Sequence, residues 1–435
     1  MIIRGGKVTA KGGFGGAGVG GGDGAYRRDI TNIWSTALNF ESSGGELTAI
    51  GGDEAAGIGG GNQEEERTDG YIDISGGTIT ATGGANYGAG IGGGDQQKNS
   101  PPVTITGGKV TATGGVNAAG IGGGDKGSSS GITINGGEII ANGGVNGAGI
   151  GNGNGATGGI VEIKNGAVTA TGGSYAAGIG GGNNYSDFCT VKIQGGIVDA
   201  TGGVRGAGIG GGEKCTAGTV TIDGGQNVVA TGGIGGAGIG KGSNTSADSI
   251  QLTFNSGSVN AYGGDGLYDQ SNQTGIPGAP AIGGTSFNGK IVFNGGNIRA
   301  TGSKEDHYNT DHVLSYAYGH GTAIGTNNEF PRVGEIHINA GVMINTYIQG
   351  FDAAPSYHYY ADKLYIFDTE NNTSSVQYDS AYAATADRVK ACGWKARNIE
   401  IMPCVHAEYS YEKKRRRSPL EELLLLHLHR RTPAQ

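Results

Sequence analysis

A segment of the form Gly-Ala-Gly-Ile-Gly-Gly-Gly returns along this chain at nearly constant spacing, and that recurrence limits the fold more than any other feature. Its aliphatic anchors are Val19, Ile58, Ile91, Ile121, Ile150, Ile179, Ile209, Ile239, Ile282 and Ile324. From Ile91 to Ile239 the interval is 29 or 30 residues, and both ends of the array carry insertions. A period of roughly 20–50 residues marks a solenoid, propeller or array, in which one unit cannot bury its apolar face alone.

The unit from Val103 to Gly124 holds three short segments separated by glycine pairs. Val103 and Ile105 alternate with Thr104, and Val110 and Ala112 alternate with Thr111 and Thr113. Period two predicts strands with the aliphatic side inward and Thr outward. The third segment, through Ala119 and Ile121, is built of small residues, as tight packing requires. The glycine pairs permit positive φ where the chain turns within one or two residues. A helical repeat is excluded, because no 3.6-residue apolar stripe exists and each interior Gly would cost about 1 kcal/mol. A propeller blade needs four strands and about 40 residues.

Three strands and three corners per repeat make one coil of a parallel β-helix, with each residue above its equivalent in the next coil. Val8, Leu47, Ile79, Val110, Ile139, Val168, Val198, Val228, Val259 and Ile298 form one such column. Ala10, Ala49, Ala81, Ala112, Ala141, Ala170, Ala200, Ala230, Ala261 and Ala300 form another, so the interior there has room only for a methyl. The expected fold is all-β: a single-stranded right-handed parallel β-helix of about ten three-strand coils over residues 1–341. At a strand spacing of roughly 4.8 Å the array would be about 48 Å long. Residues 342–411 are expected to cap its C-terminal end, because an open end exposes strand edges and core. Residues 412–435 form a basic, Leu-rich tail whose composition matches nothing before it, as an added sequence would. Lys413–Arg417 and the stretch after it otherwise read as a nuclear signal or membrane-surface helix.

Composition then excludes several classes. Gly supplies 95 of 435 residues without a Gly-X-Y triplet, so collagen is ruled out. Net charge is −8, and the tail is itself basic, so the body is more acidic still. An acidic body excludes general nucleic-acid binding, which needs a basic stripe. No apolar run approaches the ~20 residues of a membrane span. Met1-Ile2-Ile3-Arg4-Gly5-Gly6 reads as the end of a repeat strand, so no signal peptide is expected there. Four cysteines, Cys189, Cys215, Cys392 and Cys404, are too few for a disulfide scaffold. Cys392 with Cys404 could pair, and Cys404 with His406 could be half a metal site, but one Cys-x-His is a weak signal.

Four residues beyond each anchor lies a polar column: Asp23, Asn62, Asp95, Asp125, Asn154, Asn183, Glu213, Ser243, Ser286 and Asn328. One reading is a corner ladder in which Asx and Ser side chains satisfy turn amides. The other is calcium, the single cofactor the column admits, with Asp95 and Asp125 as its ligands. Carboxylates in adjacent coils repel unless something bridges them. The outward Thr pairs Thr80/Thr82, Thr111/Thr113 and Thr169/Thr171 resemble an ice-binding face, but Asp199, Tyr262 and Arg299 interrupt it.

Chemistry concentrates in two insertions, residues 265–280 and 304–320, since all His and most Tyr lie late in the chain. Tyr268, Asp269, His307, Tyr308, Asp311, His312, Tyr316, Tyr318 and His320 are the candidate ligand-binding residues. Aromatic faces stack on sugar rings and carboxylates bind hydroxyls. Alternatively, His307 and His312 with Asp311 would bind a metal or act as base and acid. A polar insertion with no specific ligand is the third reading. The regular coils offer no carboxylate-and-base set for a lyase.

Ile74-Ser-Gly-Gly-Thr-Ile-Thr-Ala-Thr-Gly-Gly followed by Gly88-Ala-Gly-Ile-Gly-Gly-Gly resembles the repeats of large cell-surface proteins of gut and anaerobic bacteria. The array is more distantly similar to β-helical carbohydrate-binding domains of cellulolytic clostridia, which bind cellulose with calcium. That resemblance implies an exported, extracellular or cell-surface module whose partner is carbohydrate or a host or bacterial surface ligand, without membrane insertion. The preferred expectation is a non-catalytic binding and adhesion module. The alternative is a polysaccharide lyase or glycoside hydrolase with its site at the two insertions.

Overall fold

A computed structural model describes residues 1–22, 38–62, 70–97, 100–127, 129, 131–184, 189–215, 218–243, 249–269, 274–285, 288–303, 322–326, 334–338, 343–348, 359–360, 363–368, 373–378 and 399–401. Among these there is no helix. The chain is a parallel β-solenoid. A coil consists of a first strand such as Val103–Ile105, a second such as Lys109–Thr113, and a two-residue anchor strand such as Ile121–Gly122. First and second strands stack into a 23-stranded sheet, and anchor strands into an 11-stranded one.

The columns read from the sequence are the register of the fold. Val110 pairs with Ile79 and Ile139, and Ala112 with Ala81 and Ala141. Anchors pair likewise, Ile121 with Ile91 and Ile150. Val110, Ala112, Ile121 and their equivalents through the middle coils are fully buried, while Thr111 and Thr113 face outward. Among the first strands, where Phe254 pairs with Phe293, the two rings stack with centroids 4.8 Å apart. On the outer surface, Lys109–Glu138 and Lys192–Glu162 pair between coils. Such exposed pairs contribute about 1 kcal/mol at most, so the buried columns and the backbone ladder carry the stability.

The expected ten coils fall one short. The anchor ladder continues from Ile324–Gly325 onto Tyr359–Tyr360, a rung that lacks the glycine signature and so escaped the pattern. Second strands also run on, Ile298 pairing with Ile344 and Ile344 with Ile399. Beyond them Lys363–Asp368 pairs antiparallel with Thr373–Tyr378, which breaks the parallel rule of the coils.

The glycine pairs serve two different purposes. At the turn between first and second strands the second glycine has positive φ, as at Gly108 (φ 88°) and Gly137 (φ 94°). The pair after the second strand has no positive φ; it is glycine because backbone passes too close. A Cβ on Gly115 would overlap the Gly84 carbonyl oxygen of the preceding coil. The anchor glycine combines both demands: Gly122 has φ 135°, and a Cβ there would overlap the Gly151 carbonyl oxygen.

Gly122→Ala is therefore expected to destabilise the solenoid by about 2–4 kcal/mol, the sum of a strained φ and an overpacked contact. A urea melt checks this, and a loss below about 0.5 kcal/mol would contradict it.

Candidate functional site

Two places gather polar chemistry on this scaffold. The first is the corner that follows each anchor, where the polar column stands. Its backbone is tied to the neighbouring coils on both sides. The Asp95 amide donates to the Glu54 carbonyl at 2.8 Å, the Asp125 amide to Tyr87 at 3.0 Å, and the Asn154 amide to Asn117 at 2.8 Å. In the other direction the Asp125 carbonyl accepts the Gln96 amide at 2.8 Å, and Asn154 that of Lys126 at 2.7 Å. Gln96 (φ 52°) and Lys126 (φ 50°) take left-handed backbone to aim those amides along the solenoid axis. The turn amides are thus met mainly by neighbouring carbonyls, and the side-chain ladder is a second layer over them. Asn154 Nδ2 donates to Asp125 Oδ1 at 2.8 Å, and Asn183 Nδ2 to Asn146 Oδ1 at 3.0 Å. Asn62 donates to Glu54 Oε2 at 2.6 Å, and Arg205 pairs with Glu213. Asp23, Ser286 and Asn328 lie outside the described residues.

Asp95 and Asp125 do occupy adjacent coils and are nearly buried, at 7% and 5% exposure. Asp95 Oδ2 accepts from Gln96 at 3.3 Å, whereas its Oδ1 is buried without a hydrogen-bond partner. Burial raises the pKa of both carboxyls above the ordinary aspartate value. For Asp95, burial acts with the charges of Asp125 and Glu54, against the Gln96 hydrogen bond and Lys126. Calcium asks for six to eight oxygen ligands, and among the described residues no three His, Cys, Asp or Glu side chains gather into a metal-holding group. Two carboxylates alone do not fit that requirement. Glu54, Gln96 and Lys126, which shape this corner, were missed in the sequence because they sit outside the aligned column.

The second place is the corner between second and anchor strands. In most coils it is a two-residue turn such as Val116–Asn117, and Val116, Val145 and Val204 are exposed along it. Their signal was an apolar residue just after a glycine pair, where no strand can bury it. In the ninth coil the turn becomes a hairpin of Leu267–Asp269 and Thr274–Ile276, with Tyr268 opposite Gly275 and Asp269 opposite Thr274. A Cβ on Gly235 would overlap the Ile276 side chain, so the hairpin leans back over the preceding coil. One coil on, the chain leaves the same corner at Ser303 and returns at Thr322, both buried. The flanks prove the alignment: Tyr262 pairs with Thr301 and Ile282 with Ile324. His307, Tyr308, Asp311, His312, Tyr316, Tyr318 and His320 lie outside the described residues, as do Cys392, Cys404 and His406.

Cys189 and Cys215 are buried and are not joined in a disulfide. Burial pushes the Cys189 pKa up to about 12, so it is no nucleophile at neutral pH.

A family model described as a beta helix repeat matches residues 2–23, 43–62, 72–95, 103–125, 132–154, 161–183 and 191–213. Each match ends on the polar column, at Asp23, Asn62, Asp95, Asp125, Asn154, Asn183 and Glu213, so that corner belongs to the repeat. No curated protein and no solved structure matches the chain.

The folded Asp95 carboxyl keeps its proton to higher pH than the unfolded chain does. Its ionisation therefore costs stability as pH rises through that raised value, a cost absent below the ordinary 3.8. Asp95→Asn is expected to raise the melting temperature at pH 7 and to converge on the parent protein near about pH 4. Thermal melts across that range decide it; a variant less stable at pH 7 would mean that the carboxylate is held by a cation.

Proposed function

We propose that this chain is a non-catalytic, extracellular β-solenoid that presents a carbohydrate-binding surface for adhesion. The support for this reading is that residues 265–280 and 304–320 are inserted at the same corner of successive coils, bracketed by the pairings of Tyr262 with Thr301 and Ile282 with Ile324. Loops thrown from one corner of a repeat array make its usual binding surface. Tyr268 supplies an aromatic face for a sugar ring and Asp269 an acceptor for its hydroxyls. The exposed Val116, Val145 and Val204 on the same corner extend the contact towards a chain-like ligand. His307, Tyr308, Asp311, His312, Tyr316, Tyr318 and His320 complete the set by sequence position.

Retention on a panel of plant and host glycans, without turnover, is the expected result. Tyr268→Ala and Asp269→Ala are each expected to weaken it about tenfold, near 1.4 kcal/mol, with an unchanged melting temperature. Full-strength binding by both variants would remove the assignment. Release of unsaturated or reducing ends, lost in His307→Ala or His312→Ala, would replace binding alone with an enzyme.

A further inference from the structure

The hydrogen bonds that tie the polar column to the preceding coil also define a second column. Asp95, Asp125, Asn154, Asn183, Glu213 and Ser243 donate their amides, at 2.8–3.0 Å, to the carbonyls of Glu54, Tyr87, Asn117, Asn146, Tyr175 and Arg205. Those six acceptors therefore stand one above another, in the turn between second and anchor strands. All six are half-buried, and the exposed Val116, Val145 and Val204 precede three of them in the same turns.

Along this strip Tyr87, Asn117, Asn146 and Tyr175 follow in consecutive coils, as the pairing of Ile91, Ile121, Ile150 and Ile179 fixes. Two aromatic rings thus bracket two amides over three coil spacings, roughly 14 Å. Three coils beyond Tyr175, through Ile209, Ile239 and Ile282, the same turn carries the hairpin of Tyr268. Linear alignment hides the pattern. Counted from its glycine pair, the third coil would put Asn86 in the column, but its turn is one residue longer than that of the fourth, and the Asp125 amide reaches Tyr87.

The backbone does not ask for these side chains. In the first coil Gly15 accepts the Asn62 amide in the same way, at 3.0 Å. The amides of the strip are held in fixed directions: Asn146 Nδ2 donates to Asn117 Oδ1 at 2.7 Å, and Asn183 Nδ2 to Asn146 Oδ1 at 3.0 Å. An amide nitrogen carries two donors and this ladder takes one from Asn146, so the row is oriented in advance for a ligand's hydroxyls.

We infer that Tyr87, Asn117, Asn146 and Tyr175 form a track for a linear, extended polysaccharide lying along the solenoid axis. The inference rests on the carbohydrate-binding reading above and adds the ligand's shape and a set of contacts outside the insertions. A pyranose ring in an extended glycan advances by a length close to one coil spacing of roughly 4.8 Å, so successive sugars meet successive coils. Sugar faces stack on Tyr87 and Tyr175, and the two sugars between them give their hydroxyls to Asn117 and Asn146. Val116 and Val145 flank those middle positions with apolar surface.

Calorimetry on the full chain, with two-sugar and six-sugar members of the β-1,4-linked glucose, xylose, mannose and N-acetylglucosamine series, tests this. In at least one series the six-sugar probe is expected to bind at least about tenfold tighter, because only the longer chain reaches both rings. Tyr87→Ala and Tyr175→Ala are each expected to remove that advantage, whereas Tyr175→Phe, which keeps the ring, retains it. The chain-length comparison uses the parent protein, so it decides even where loss of a ring costs folding. Equal affinity for short and long probes would overturn the track, as would six-sugar binding unchanged in both Ala variants. If that unchanged binding is lost in Tyr268→Ala, the hairpin site stands without the track. Binding lost in Tyr175→Ala but kept in Tyr268→Ala supports the track and removes the hairpin. No binding by any probe would overturn both.

Discussion

Backbone hydrogen bonds between successive coils are the constraint on which everything else in this molecule rests. They hold each strand at one strand spacing from the next, so whatever stands at a position must tolerate its own equivalent directly above and below. The Ala column follows from this, as does the run of aliphatic residues beside it. Glycine follows most strictly. On three sides of the coil a carbonyl approaches so closely that no Cβ fits, and Gly44, Gly115 and Gly124 each stand for one of those approaches.

The same constraint explains the polar corner. Amides of the polar column reach neighbouring carbonyls because the coils sit at fixed separation, so the column side chains are released from turn duty. They bond to neighbours instead: Asn154 to Asp125 within the column, and Asn183 to Asn146 in the turn of the preceding coil. Where two acids meet in that stack the solution is costly. Asp95 keeps one oxygen buried and unpartnered beside Asp125 and Glu54, and burial favours its neutral form. The orphan oxygen records a local conflict that the ladder is strong enough to carry.

Function, on this reading, is a matter of placement. A solenoid has no central cleft to shape, and its interior is filled by methyl-sized and aliphatic side chains. What it offers is a rigid axis along which corners repeat. The two insertions are bracketed by equivalent rungs of successive coils, Tyr262 paired with Thr301 and Ile282 with Ile324. The hairpin of Tyr268 and Asp269 leaves and rejoins the ladder between the pairings of Thr231 with Tyr262 and Ile239 with Ile282.

Strand identity, inward and outward faces, and the columns through Val110, Ala112 and Ile121 were legible in the residues, because period-two alternation and a 30-residue repeat are both linear patterns. The eleventh rung was not, since Tyr359–Tyr360 joins the ladder without the glycine signature. Tyr268 and Asp269 could be picked out by composition, but not the hairpin that carries them or the way Ile276 leans on Gly235. By itself the sequence determined the repeat, its in-and-out pattern and hence a parallel solenoid. Only the tertiary structure decided which glycines serve a positive φ and which make way for a neighbouring carbonyl, and that Asp95 lacks a partner. Those distinctions depend on atoms a full coil away, whose approach is set by stacking and not by adjacent residues.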